Sequence, residues 1–203
     1  MAVLQDFPGY SLYEYMLVVN PHEDLRNRIQ QIKQDFASKY DNKTAQYSKA
    51  HLCLVQFKQY EMAEQRILNR LKTIAMGCPP IKIELKDYGS FPTHSLFIQV
   101  TSKLPIEALV KTIRTQAQKL LKADNDHKPL FIMQPNFTIA RKLQPWQYEK
   151  GWNEYSHRHF TGRFIADAML LLKRKEGEKN YQIACRFEFQ NLPVSITQGA
   201  LFS

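Results

Sequence analysis

Ala50-His51-Leu52-Cys53-Leu54-Val55-Gln56-Phe57 and Pro135-Asn136-Phe137-Thr138-Ile139-Ala140-Arg141 are the two stretches on which the reading of this chain turns. Each is a short apolar run with a polar or soft side chain at its first and third positions. In an extended strand, residues i and i+2 point the same way. Alternation therefore puts His51, Cys53, Val55 and Phe57 on one face of the first strand, and Asn136 and Thr138 together on the second. If the two strands lie side by side, an imidazole, a thiol, an amide and a hydroxyl face one cleft. Such a cleft suits a phosphodiester, because hydroxyl and amide groups donate to its non-bridging oxygens while an imidazole moves a proton. The residues by themselves also allow a plainer reading, in which His51 and Thr138 are satisfied polar groups of a half-buried sheet.

Around these stretches the pattern predicts an alternation of strands and helices. Tyr13 to Val19 reads as a buried strand. A helix follows with Asn20 as its cap, Pro21 in its first turn and Leu25, Ile29, Ile32 and Phe36 as an apolar stripe. A second helix is expected from about Glu61 to Met76, with Leu68, Leu71 and Ala75 on one face and Gly77 as its stop. Ile81, Ile83 and Leu85 alternate with Lys82, Glu84 and Lys86, a strand with one wet face. Leu96 to Val100 resumes after Phe91-Pro92. A third helix begins near Pro105 and carries Ile106, Leu109, Ile113, Ala117 and Leu120 inward. Gln144 to Phe160 reads as irregular or weakly helical. Arg163 to Lys173 and Tyr181 to Phe189 read as a hairpin, with Tyr181, Ile183, Cys185, Phe187 and Phe189 turned inward. The order predicts an α+β protein in which helices cover the outer faces of antiparallel sheets. Residues 1–12 form an extension, 13–189 a single domain and 190–203 a tail.

Composition narrows the chemistry. The 203 residues hold 28 Lys and Arg against 19 Asp and Glu, a formal charge of +9 that favours anionic partners. The seven glycines permit neither a dinucleotide fingerprint nor a P-loop. Cys53, Cys78 and Cys185 form no C-x-x-C pair, which argues against a disulfide framework or thiolate zinc and for a reducing compartment. With no signal-like N-terminus and no long apolar run, a cytoplasmic protein with no membrane association is expected. His157-Arg158-His159 lacks a third ligand at a fixed spacing, so an exposed loop is favoured there over a metal site. His22 is expected to be exposed, and whether His94 or His127 reaches the cleft is open. The aromatics among Trp146, Tyr148, Trp152, Tyr155 and Phe160 fit either a base-stacking surface beside Arg158 and Arg163 or, with preference, the cover of a sheet end.

The two tetrads, the Pro135-x-x-Thr138-Ile139-Ala140-Arg141 context, the aromatic-proline break at Phe91-Pro92 and the element order resemble the two-histidine (2H) phosphoesterase superfamily. The likeness is to its 2′-5′ RNA ligase or RNA 2′,3′-cyclic phosphodiesterase branch, and it extends from about Tyr13 to Phe189. The resemblance implies a bilobal fold in which each lobe gives one tetrad to a central groove. It also implies a metal-independent hydrolase with no cofactor. In that scheme His51 corresponds to the first proton-transfer histidine and Thr138 to the second phosphate-binding hydroxyl. Cys53 stands where Thr or Ser is expected, and Asn136 stands where the second histidine belongs. A carboxamide has no pKa near neutrality, so catalysis is expected to be weak or lost. Arg141 matches the arginine after the second tetrad, although simple alternation turns it away from Asn136 and Thr138. The expected partners are RNA ends or cyclic and linear nucleotides, bound by a monomer. A non-enzymatic interaction protein that uses its basic surface for protein or nucleic acid is the other reading.

Overall fold

The structure is a computed structural model that describes residues 9–42, 45 and 49–193. The 1–12 extension and the 190–203 tail lie largely outside the described residues. Among the described residues, nine strands form two sheets whose neighbours are all antiparallel. The first sheet has the order β5-β2-β1-β8-β9, with β1 Leu12–Val19, β2 Leu52–Tyr60, β5 Leu130–Phe131, β8 Ala168–Lys175 and β9 Gln182–Glu188. The second has the order β6-β4-β3-β7, with β3 Ile81–Phe91, β4 Ser95–Val100, β6 Asn136–Arg141 and β7 Thr161–Ala166. Helices α2 (Glu64–Met76) and α3 (Lys103–Leu121) pack on the first sheet and on each other, while α1 (Glu23–Lys39) and α4 (Pro145–Tyr155) pack on the second. The fold is α+β, with two lobes whose helices cover the outer faces.

One continuous hydrophobic cluster runs through both lobes, from Tyr15, Leu17 and Leu54 to Leu96, Phe137 and Phe164. The helices enter it by the expected stripes, with local differences. α1 buries Leu25, Ile29, Lys33, Phe36 and Ala37, so a lysine takes the central place that the sequence assigns to Ile32. Its cap is His22 rather than Asn20, and Glu23 and Asp24 in the first turn complement the helix dipole. A short 3-10 turn, Glu61–Ala63, precedes α2, which buries Ile67, Leu71, Ile74 and Ala75.

Two stretches depart more strongly from the expected pattern. The segment read as irregular or weakly helical contains a regular helix, α4, eleven residues long. Pro145 starts it, the Gln147 side-chain oxygen accepts from the Gln144 backbone N–H at 2.9 Å, and the Gln147 amide donates to the Tyr40 carbonyl at 2.7 Å. Capping and the burial of Gly151 and Tyr155 outweigh the weak propensity of its aromatics. The strand expected over Arg163 to Lys173 is two strands in different sheets: β7 ends at Ala166 and β8 begins at Ala168. No glycine or proline marks the crossover. Asp167 alone turns outward there, and its carboxylate accepts from Arg186 at 2.9 Å. In β9 a register shift at Ala184 breaks the inward alternation, so Ile183 is exposed while Phe187 and Phe189 are buried.

Gly151 marks where α4 approaches closest. A Cβ there would stand 2.8 Å from the Phe36 ring and 3.1 Å from Leu96. Gly151→Ala gains up to about 1 kcal/mol of helix propensity but overpacks the contact at a cost of roughly 1–3 kcal/mol. A net loss of about 1 kcal/mol is expected in urea denaturation; a stabilised variant contradicts this account of the packing.

Candidate functional site

The two motif strands meet where the lobes meet, and β2 touches β6. His51 sits just before β2, with its N–H on the Lys49 carbonyl at 3.1 Å, and Asn136 opens β6. Both strands carry a β-bulge at the same place relative to their motif. On β2, pairing with β1 passes from Val18↔Cys53 to Leu17↔Val55, which leaves Leu54 as the extra residue. On β6, pairing with β4 passes from Phe97↔Thr138 to Leu96↔Ala140, which leaves Ile139 extra.

A bulge resets which residues share a face, and here it corrects two readings from alternation. Val55 and Phe57 are buried with Leu52 and Leu54, while Cys53, Gln56 and Lys58 remain partly open. Across the groove, Phe137, Ile139 and Ala140 are buried while Asn136 and Thr138 are partly open and Arg141 is exposed. The extra residue thus returns Arg141 to the side of Asn136 and Thr138. Its charge reaches Cys53, His51 and Lys33 alike.

Around Cys53 the groove wall is a small apolar patch separate from the main core, made of Val18, Leu170 and Leu172 with Met16 and Tyr181 against them. Val18 lies between Cys53 and Leu170 in the sheet register. Gln56 donates to the Cys53 sulfur at 3.5 Å, and burial pushes the thiol up to about 11. Cys53 is therefore a neutral, weak donor rather than a thiolate nucleophile. On the opposite wall, Thr138 Oγ1 donates to Asn136 Oδ1 at 3.1 Å, and Asn136 Nδ2 donates to the Gln134 carbonyl at 3.1 Å. Beside Thr138 in the register lies Phe97, whose ring contacts that of exposed Phe91 with centroids 4.9 Å apart. Gly89 makes room for this pair, since a Cβ there would stand 2.5 Å from the Phe97 ring.

The electrostatics are one-sided. Burial pushes His51 down to about 4, and the charges of Lys33, Lys49 and Arg141 push the same way. The imidazole is neutral at physiological pH and is available as a proton acceptor. Lys33 is 2% exposed, and among the described residues its ammonium donates only to the Lys49 carbonyl, at 3.4 Å. Burial, with Arg141 nearby, brings it down to about 8. Among the described residues no carboxylate pairs with Lys33, Lys49 or Arg141. Lys33 is the site residue that motif reading misses. The signal is present in the sequence: it follows Ile29 by four positions, inside the apolar stripe of α1, where an unpaired lysine is costly.

Of the remaining histidines, three have side-chain partners elsewhere and two are exposed. His127 lies 2.8 Å from Asp124, His157 Nδ1 is 2.7 Å from the Asn153 carbonyl, and His159 is 3.3 Å from Asp87. His94 is exposed on the β3–β4 turn, and His22 is exposed at the start of α1. Among the described residues, no three His, Cys, Asp or Glu gather as metal ligands, and no helix is long and apolar enough to cross a membrane. Of the aromatic segment, Tyr155 and Phe160 are buried. Tyr148 meets Ser90 at 3.0 Å and Trp146 is exposed over Lys150.

Residues 21–178 match the family model described as the 2′-5′ RNA ligase superfamily. No curated protein sequence matches the chain significantly. Among solved structures, Escherichia coli LigT complexed with 3′-AMP is similar at 14% identity and TM-score 0.57, over 88% of this chain and 98% of that one. E. coli LigT complexed with phosphate is similar at 13% identity and TM-score 0.54, over the same shares. The protein TT0787 of Thermus thermophilus is similar at 16% identity and TM-score 0.56, over 87% of this chain and 98% of that one. At these identities the likeness is one of fold.

Proposed function

Because this chain belongs to the 2′-5′ RNA ligase superfamily, we propose that the groove between its lobes binds the phosphate of an RNA terminus or of a cyclic or linear nucleotide, with phosphodiester turnover weak or lost. What supports this reading is that the Arg141 charge reaches both His51 and Cys53, that β2 touches β6, on which Thr138 shares its side with Arg141, and that among the described residues no carboxylate pairs with Lys33, Lys49 or Arg141. In this reading Asn136 donates its second N–H to a phosphate oxygen, Thr138 turns its hydroxyl from Asn136 to another, and Arg141 supplies charge and a fork of N–H groups. Thr138 lies beside the Phe91–Phe97 ring pair, so a base attached to the held phosphate can stack within the same face.

His51 is the one imidazole in the cleft among the described residues. It can take a proton from water or a 2′-hydroxyl, but Asn136 has no proton to return to the leaving oxygen at neutral pH. The hydroxyl and amide donors remain, so the site keeps its grip on phosphate while lacking one half of the acid–base pair. LigT structures hold 3′-AMP and phosphate. The present groove is read as taking ligands of the same class in the reducing interior of a cell, by a monomeric protein.

A titration with a mononucleotide at low and at high salt tests this. Saturable binding that His51→Ala or Thr138→Val weakens by about tenfold is the expected result. RNA binding that grows with strand length, falls steeply with salt and ignores both substitutions supports the interaction-protein reading instead. That second reading has one observation of its own. Arg66, Arg70 and Lys119 line a hollow between α2 and α3, on the side of the first sheet away from Cys53.

A further inference from the structure

Lys33 is an ammonium placed in the core stripe of a helix, 2% exposed, with, among the described residues, a single long contact to a backbone carbonyl. An ammonium has three donors and a strong hydration shell, and burial strips both unless a counter-charge replaces them. None is present among the described residues. The charge that acts on it is the guanidinium of Arg141, from β6, and Lys33, Lys49 and Arg141 all act in turn on the imidazole of His51, in the segment before β2. Residues 43, 44 and 46–48, which precede Lys49 in the chain and lie outside the described set, are Lys, Thr, Gln, Tyr and Ser, none of them acidic. The fold therefore holds three cations around His51, with no neutralising carboxylate among the described residues.

Such an arrangement does more than bind any phosphate. A phosphodiester or a 2′,3′-cyclic phosphate carries one negative charge, whereas a terminal phosphomonoester carries about 1.5–2 near pH 7. Beside three cations in a partly dry cleft, the additional charge is felt strongly, because charge–charge energies grow as the local dielectric falls. Resting on the groove reading above, we infer that the site selects a dianionic phosphate, namely the phosphomonoester end of a nucleotide or RNA strand, and that buried Lys33 sets this selectivity. Lys33 acts through the field beneath the groove floor rather than by touching the reacting atoms. It is a positioning residue, and charge selectivity is its signature.

The experiment compares adenosine 3′-monophosphate with adenosine 2′,3′-cyclic monophosphate by isothermal titration at pH 7. The two share base and sugar and differ by about one charge. The wild type is expected to bind the monoester at least about tenfold tighter. Lys33→Met should reduce that ratio to within about threefold while retaining nucleotide binding. Arg141→Gln, at an exposed position where folding is not at risk, should also weaken the monoester more than the cyclic ester. Inorganic phosphate separates a free dianion from a strand end. It should bind at least about fivefold more weakly than the 3′-monophosphate if the Phe91–Phe97 face stacks the base.

Equal affinities for the two nucleotides, or a ratio untouched by Lys33→Met, overturn the inference. Phosphate binding as tightly as the nucleotide overturns its assignment to a strand end. If neither nucleotide binds, or Thr138→Val changes nothing, the groove reading itself fails. Nucleotides that are released by Thr138→Val but show no charge preference overturn only the selectivity.

Discussion

Asn136→His, made together with Cys53→Thr, is expected to raise hydrolysis of a 2′,3′-cyclic nucleotide by roughly 10²–10⁴, the contribution of one positioned general acid or base. The expectation rests on what each side chain can do. His51 is held neutral, with its pKa near 4, so it is always in the proton-accepting form at pH 7. A histidine at 136 would open β6 at the corresponding place in the other lobe, beside Thr138 and on the face that the bulge shares with Arg141. There it could return the proton to the leaving oxygen. Cys53→Thr replaces a thiol whose pKa lies near 11 by a shorter and stronger hydroxyl donor. The measurement is a steady-state rate with the cyclic substrate, repeated with His51→Ala added. The gain should vanish in the triple variant. A folded double variant with no gain would mean that these strands do not form a relict catalytic groove.

The pH profile of the restored variant follows from the same environment. His51 must be neutral to act as base, and it stays so down to about pH 4. The acidic limb of the profile should therefore lie well below the usual histidine range near about 6.5. A limb in that usual range would place His51 in water, away from Lys33, Lys49 and Arg141.

Much of this is legible from residues alone, and the gaps have definite causes. Leu25, Ile29 and Phe36, and Ile106, Leu109 and Ile113, announce their helices because a 3.6-residue period survives any detail of packing. The paired tetrads can be located for the same reason, since an i, i+2 pattern needs only an extended backbone. What alternation cannot carry is any residue beyond a bulge. Val55, Phe57 and Arg141 all lie just past one, and alternation assigns all three to the wrong face. A bulge is a property of register, set by the partner strand, so β2 and β6 do not contain it by themselves. The crossover at Asp167 is hidden similarly, because Ala166 and Ala168 fit a strand equally well in either sheet. Lys33 escapes notice for another reason. Surface lysines interrupt apolar stripes so often that a buried one draws no attention until its surroundings are known.

Lys33→Met should make the protein more stable at pH 7 by something on the order of 3 kcal/mol, because lowering an amine from 10.5 to about 8 is worth that much at about 1.4 kcal/mol for each pH unit. The sign follows from proton binding. Below pH 8 both the folded and the unfolded chain hold the lysine proton, and the folded state carries the full cost of burying it. Between pH 8 and 10.5 the unfolded chain keeps a proton that the folded chain has released, so wild-type stability from this residue rises with pH. Above 10.5 neither state is charged and the cost is gone. Methionine fills a similar unbranched volume without charge, so its advantage should be full below pH 8 and should shrink between pH 8 and 10.5. Urea denaturation in a buffer free of phosphate and sulfate, at pH 7 and again at about pH 9.5, measures both values. A variant no more stable than wild type at pH 7 would mean that the ammonium already has a counter-charge. The stabilising outcome separates stability from function, since a lysine that weakens the fold when the groove is empty is retained at a cost that only a bound anion offsets. Adding a nucleoside 3′-monophosphate should then stabilise the wild type by mass action and the methionine variant by much less. A residue kept merely for packing would show neither the pH-dependent penalty nor its relief by an anion.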